Sequence, residues 1–476
     1  MTHPLYAVLP ASVDDPAAPS GGNRYDREVL RRLTAGEPED GEDRPRLFDV
    51  REHLAGGAWP RPAEPDRRAL TAVLDDIPTG SLVLLDGLIA CGVPGLLEPH
   101  ATRLRLVVLV HLPLSDETGL PAADATELRA LECRTLRLAT AVIATSTQAA
   151  RRVEGLHGLS GVHAIPPGVT RAPLATPSPD GGRLLNVASL TPRKGQDVLL
   201  AALARLPDLS WTCTVAGAGH LPPVTPPWSH RDDRIGPPPI PDETGSPPIP
   251  DETSPPAAPE ETGPPVSLDR ISPPAILILD GSADMPVGPP GTAERRHDPE
   301  PQAIEHGHTG AGDRGVRFVG ALDGPALDDA YDNADLFVLP SRAETYGMVV
   351  TEALARGLPV VATDVGGVPE ALGAAPGGGV PGRLIPPDDP EALAGAVRDW
   401  LTDPALRDRW RADARSRREA LTGWDETARR LSEVLNGIMR RPVPGDDAGE
   451  ATDPARVKAS VKADAGQDDA RGGSDD

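Results

Sequence analysis

Two apolar runs, Leu336–Leu339 (LFVL) and Leu358–Ala362 (LPVVA), bracket a segment with helical periodicity, and this arrangement restricts the fold more than any other feature of the chain. The first run stops at Pro340 and opens into a polar turn carrying Glu344. Gly347 then precedes a helix whose inward stripe is Val349, Val350, Ala353 and Leu354, with Glu352 one residue off it. Gly357 ends the helix, and the second run opens into Gly366, Gly367 and Glu370. Strands without polar alternation, joined through a helix, make a parallel βαβ unit covered on both faces. Sheets of that kind bind ligands beyond the carboxyl ends of their strands, where these glutamate-bearing turns lie.

The pattern recurs on both sides. Leu5–Leu9, Ser81–Leu85, Leu104–Val110 and Ala141–Ser146 read as strands of a first half closed by Val162–Val169. Leu184–Ala188, Trp211–Ala216, Gly315–Leu322 and Gly382–Ile385 join the two opening runs in a second half. The expected fold is α/β, with two Rossmann-like domains whose parallel sheets face a central cleft. Residues 1–172 make the first domain and 183–400 the second, with Thr170–Gly182 as the linker between them. Helices over 401–441 cross the domain boundary, with Trp424, Ala428, Leu431 and Leu435 at helical spacing. The stretch 221–314 holds 23 of the 57 prolines, a density that argues against helices or central strands, so a disordered Pro-rich insertion is expected there. Within it IPDETGSPP recurs as IPDETSPP, and Ala275–Asp280 is an apolar island. It reads as an expanded surface loop or as a polyproline-like arm for a partner. Residues 442–476 read as a disordered acidic tail.

Three turns carry candidate chemistry. Gly21 and Gly22 separate the first strand from a helix marked by Tyr25, Val29, Leu30 and Leu33, which makes either an anion or sugar cradle or a flexible turn. His111 directly follows the strand Leu104–Val110, where it either faces a ligand or is satisfied by a neighbour. Arg193 and Lys194 precede a helix with Val198, Leu199, Ala202 and Leu203 inward; two cations and free helix amides suit a diphosphate, and the alternative is a solvated basic turn.

Glu344 and Glu352, with Tyr346 and Gly347 between them and GLPVVATDVGGVPE following, resemble the signature of retaining glycosyltransferases of family 4, the glycosyl transferases group 1, which have the GT-B fold. The resemblance implies an enzyme that moves a sugar from a nucleoside-diphosphate sugar to a hydroxyl acceptor with retention, using neither a metal nor another cofactor. It implies catalytic positions for Glu344 and His111. Donor binding would fall to Gly21, Gly22, Arg193, Lys194, Tyr346, Gly347, Met348 and Glu352, with Glu352 on the ribose hydroxyls and Gly320–Leu322 beside the base. The residues agree with the absence of a metal in two ways. Arg193 and Lys194 can meet charge developing on a departing diphosphate, and the chain has no Asp-x-Asp pair. It departs from the family in having Ala188-Ser189 where Gly-Arg is common, and Thr170 where Asp is usual.

A formal charge of −24 argues against a nucleic-acid partner, which needs a basic face. Cys91, Cys133 and Cys213 are few and widely spaced, which suggests reduced thiols and a cytoplasmic setting. Met1–Pro10 lacks a secretory pattern, and no apolar stretch reaches the roughly 18 residues of a membrane span. Many relatives of the resembled family use lipid-linked acceptors, which leaves room for peripheral membrane contact. Two other classes share the architecture: a sugar-nucleotide epimerase and a noncatalytic nucleotide-sugar or partner-binding protein. A phosphorylase of this fold would need pyridoxal phosphate on a lysine, for which the chain has few candidates.

Overall fold

The structure, a computed structural model, describes residues 3–15, 20–35, 48–219 and 314–441. The expectations for the stretch 221–313 and for the tail 442–476 lie outside those residues. Arg314, assigned above to the insertion, is the first residue of a strand.

Two six-stranded sheets form the frame. In the first, β1 (His3–Pro10), β2 (Phe48–Ala55), β3 (Leu82–Asp86), β4 (Arg105–Val110), β5 (Ala141–Ala144) and β6 (His163–Ala164) lie in the order β2-β1-β3-β4-β5-β6. In the second, β7 (Arg183–Val187), β8 (Trp211–Ala216), β9 (Arg314–Gly320), β10 (Leu336–Leu339), β11 (Val360–Thr363) and β12 (Gly382–Ile385) lie in the order β12-β11-β10-β7-β8-β9. Every pairing is parallel. This is the GT-B arrangement of two Rossmann-like layers. The central strands β3, β4, β10 and β11 are buried at every position, as a parallel sheet covered on both faces requires.

The edge strand β2 and the helix after it, Glu64–Asp76, had no counterpart in the sequence reading. The reason is physical. FDVREHLA pairs on one side only and buries Phe48 alone of its eight residues, so it lacks the continuous apolar run that marks its neighbours. The Gly21–Ala35 helix begins at the glycine pair itself, so Gly21 and Gly22 form its first turn rather than a loop ahead of it.

Separate apolar clusters cover the sheets. Tyr25, Val29, Leu30 and Leu33 of the Gly21 helix pack with Leu5, Leu9, Leu84 and Leu109 of the first sheet. Trp424, Leu431, Leu435 and Ile438 of the terminal helix, Trp424–Met439, complete that cluster. Trp424 meets the Tyr25 ring edge-on at 5.9 Å, and the Tyr25 hydroxyl donates to the Ile165 carbonyl at 3.0 Å. The last helix among the described residues thus belongs to the core of the first sheet.

Candidate active site

Each sheet has a point where its first strand is flanked by strands reached in opposite directions: β1 and β3 in the first sheet, β7 and β10 in the second. The loops leaving such a pair diverge and open a crevice. In the second sheet those loops carry Arg193 with Lys194, and Glu344.

The loop after β7 passes through Pro192–Lys194 and turns at Gly195 (φ +67°) into the helix Gln196–Leu203. A side chain at Gly195 would fall 2.1 Å from the Pro340 carbonyl oxygen, so only glycine lets the cationic turn lie against the end of β10. The Arg342 amide donates to the Arg193 carbonyl at 2.7 Å and joins the two loops. On the other side, Gly366 (φ +50°) lies so close to the Glu344 carbonyl that an added Cβ would sit 1.7 Å from the oxygen, and the Gly367 amide donates to that same carbonyl at 3.1 Å. The glycine pair seen in the sequence therefore holds the backbone of Glu344.

Lys194 Nζ donates to Glu344 Oε1 at 2.5 Å, and the Ser341 hydroxyl donates to the same oxygen at 2.8 Å. Arg193 Nη1 lies 4.0 Å from Glu344 Oε2 and donates to the Ala343 carbonyl at 3.3 Å. Its Nε is 3.5 Å from Glu117 of the first half. Glu352, on the helix Met348–Ala355, is buried, accepts from the Tyr331 hydroxyl at 3.0 Å on Oε2, and pairs through Oε1 with Arg24 of the Gly21 helix. Arg356 lies over the Tyr331 ring, 4.4 Å from its centre. Tyr346 is also buried, and burial pushes its phenol up to about 12. It borders a small cavity with Glu370, Arg417, Thr422 and Arg430.

From the first half, a Cβ on Gly22 would meet His111 Cγ at 3.0 Å, and one on Gly21 would meet Met348 Sδ of the second half at 3.5 Å. His111 Nε2 lies 2.9 Å from Asp26 Oδ1 and 3.9 Å from Asp86 Oδ2. Burial works against a charge on the imidazole, but the adjacent Asp26 and then Asp86 outweigh it and raise its pKa to about 9. Burial and the charge of Asp26, opposed by His111, bring Asp86 up to about 7. Asp26, Asp86 and His111 also make the one group of three potential cation ligands found among the described residues, with ligand atoms within 4.8 Å of one another.

The sequence-predicted residues thus fall into linked contacts. Lys194 and Arg193 reach Glu344, Gly22 reaches His111, and Gly21 reaches Met348, whereas no hydrogen bond or ion pair joins His111 to Glu344. Sequence reasoning missed Asp26, Asp86 and Arg24. A signal existed for Asp86, which ends the apolar run of β3, and for Asp26, one helical turn beyond Gly22. A further cross-contact joins the halves where the Thr147 amide, at the start of the helix Thr147–His157, donates to Glu370 Oε2 at 2.8 Å. Among the described residues no helix is long and apolar enough to cross a membrane.

Residues 309–417 match the family described as glycosyl transferases group 1. A D-inositol 3-phosphate glycosyltransferase 1 from Catenulispora acidiphila is 41% identical over 124 residues, which are 26% of this chain and 28% of that protein. The match therefore spans less than a third of that relative. Among solved structures, a sucrose-phosphate synthase from Thermosynechococcus elongatus is similar over 92% of this chain and 99% of its own, with 20% identity and a TM-score of 0.55. Anabaena Alr3699/HepE in complex with UDP-glucose is similar over 91% and 99%, with 15% identity and a TM-score of 0.54. At those identities the structural likeness speaks for the fold.

Proposed function

We propose, for a chain of the GT-B fold whose residues 309–417 match glycosyl transferases group 1, that it transfers a sugar from a nucleoside-diphosphate sugar to a hydroxyl acceptor. The observation that carries this reading is the meeting of Lys194 and Glu344 at the β7/β10 crevice, while the Gly21 helix of the first half reaches Met348 and Glu352 on the helix that follows Glu344. In this reading residues 1–172 are the acceptor-side domain and 183–400 the donor-side domain. The solved HepE complex with UDP-glucose supports the donor class.

Departure of the nucleoside diphosphate builds charge on the phosphate oxygens. Lys194 and Arg193 are fixed cations aimed at that charge, together with the amides of Tyr346, Gly347 and Met348. Glu352 takes the ribose hydroxyls, and Glu344 lies against the sugar ring, where an ionised carboxylate favours an oxocarbenium-like centre. Cations from the chain meet the phosphate charge, so we assign the reaction no metal ion. Same-face displacement, with the leaving phosphate as base for the acceptor hydroxyl, gives retention. His111, held by Asp26, faces the donor from the first half with Gly21 and Gly22.

Lys194→Ala and Glu344→Ala test the assignment. Each should lower kcat by roughly 10²–10³-fold, the scale of losing one transition-state charge partner, with a thermal midpoint within a few degrees of the parent. Parental turnover in both variants would remove the site. The anomeric configuration of the product, read by NMR, tests retention separately.

A further inference from the structure

We propose that Arg24 is a donor-binding residue supplied by the first half, parked on Glu352 in the free protein and passed to the diphosphate when the ribose arrives. The inference rests on the sugar-transfer reading above. Both oxygens of the Glu352 carboxylate are engaged, Oε2 by Tyr331 and Oε1 by Arg24. Each oxygen keeps a second lone pair, but the Glu352 side chain is only 10% exposed, so a ribose diol reaches it by moving one of the two partners aside. Tyr331 is fully buried beneath Arg356 and stacked on Phe337 at 5.9 Å, so its hydroxyl has nowhere to go. The Arg24 side chain is 41% exposed, and among the described residues its guanidinium pairs with Glu352 alone. Arg24 is the group that leaves.

Its destination follows from position and charge. Arg24 stands in the first turn of the 15-residue Gly21 helix, and Gly21 approaches Met348, the first residue of the helix that carries Glu352. A diphosphate resting on the amides of that second helix lies next to the freed guanidinium. The nearby cations are already shared, Lys194 with Glu344 and Arg193 with Glu344 and Glu117. A diphosphate brings at least two negative charges, and Arg24 alone among these cations is released by the binding event itself. A guanidinium also matches phosphate oxygens with paired donors, which an ammonium cannot do.

The test compares the parent with Arg24→Ala and Arg24→Lys by calorimetric titration. The probes are uridine, UMP and UDP, or the guanosine, adenosine or thymidine series if that base gives the larger thermal shift in the parent. Transfer to the phosphate predicts that Arg24→Ala binds the nucleoside as well as or better than the parent and the diphosphate at least tenfold more weakly, with Arg24→Lys between them. Diphosphate affinity that is equal or tighter in Arg24→Ala would show Arg24 to be only a competitor for Glu352 and would overturn the proposal. Equal weakening of nucleoside and diphosphate would overturn it too, as the mark of a structural role. A parent that binds none of the diphosphates would instead overturn the sugar-transfer reading and this inference with it.

Discussion

Among single residues, His111 and Asp86 give the protein a defined response to pH. The folded chain holds a proton on His111 up to about 9, above the usual 6.5, and on Asp86 up to about 7, above the usual 3.8. In both cases the native state binds the proton more tightly than the unfolded one, so stability falls as pH rises. The His111 contribution is fully present below 6.5 and is lost as pH passes 9; that of Asp86 is lost by about 7. Thermal midpoints measured from pH 5.5 to 9.5 should therefore decline. In Asp26→Asn, which removes the carboxylate holding up His111, the decline between pH 7 and 9 should flatten, and an unchanged slope would contradict this assignment. Lys194 and Glu344 were legible in the sequence because each lies in a loop leaving a strand marked by its own apolar run. The companions of His111 were not, because Asp26, Asp86 and His111 meet only through the order β1-β3-β4, which residue spacing does not encode. Arg24 was hidden for a related reason: its partner lies 328 positions away, and a helical arginine is ordinarily a solvated one.

At the scale of elements, the helices Ala122–Leu138 and Thr147–His157 are joined by a buried pair, with His157 Nε2 2.8 Å from Glu132 Oε2 and both side chains almost wholly out of water. Glu132 also accepts from the Leu114 amide at 3.2 Å, which ties the turn after His111 to the same pair. Removing one partner of such a pair leaves an uncompensated polar group and costs about 3–5 kcal/mol. His157→Ala should lose stability on that scale in chemical denaturation, whereas an exposed pair such as Arg429 with Glu433 should change little when broken. Helix and strand identities were readable wherever a run was apolar throughout. The edge strand β2 was not, because Phe48 is the one residue of its eight that is buried and the rest read as a polar stretch.

For the whole molecule, β8 and β9 are parallel neighbours, with Trp211 opposite Arg314, so the end of β8 and the start of β9 lie at opposite ends of the pair. A parallel connection needs roughly a dozen residues or more. Replacing 220–313 by about 15 Gly and Ser residues should leave the thermal midpoint within a few degrees of the parent, as circular dichroism would show. Insoluble or unfolded protein would mean that the replaced stretch supports the fold. A bridge of four or five residues should fail for geometric reasons alone.

The edge-on meeting of Trp424 with Tyr25 fixes what the end of the described chain is for. The Val169 amide donates to the Thr422 carbonyl at 3.0 Å, and Thr427 donates to the Pro166 carbonyl at 3.0 Å, so the strap between the layers is stitched to the start of the terminal helix. The polypeptide thus passes between the two layers twice, once outward along 170–182 and once homeward into the Trp424 helix. A cut just ahead of Trp424 would strip a wall from the layer that β1 opens, and that layer cannot complete its interior until the Trp424 helix, more than 400 positions further along, has been synthesised.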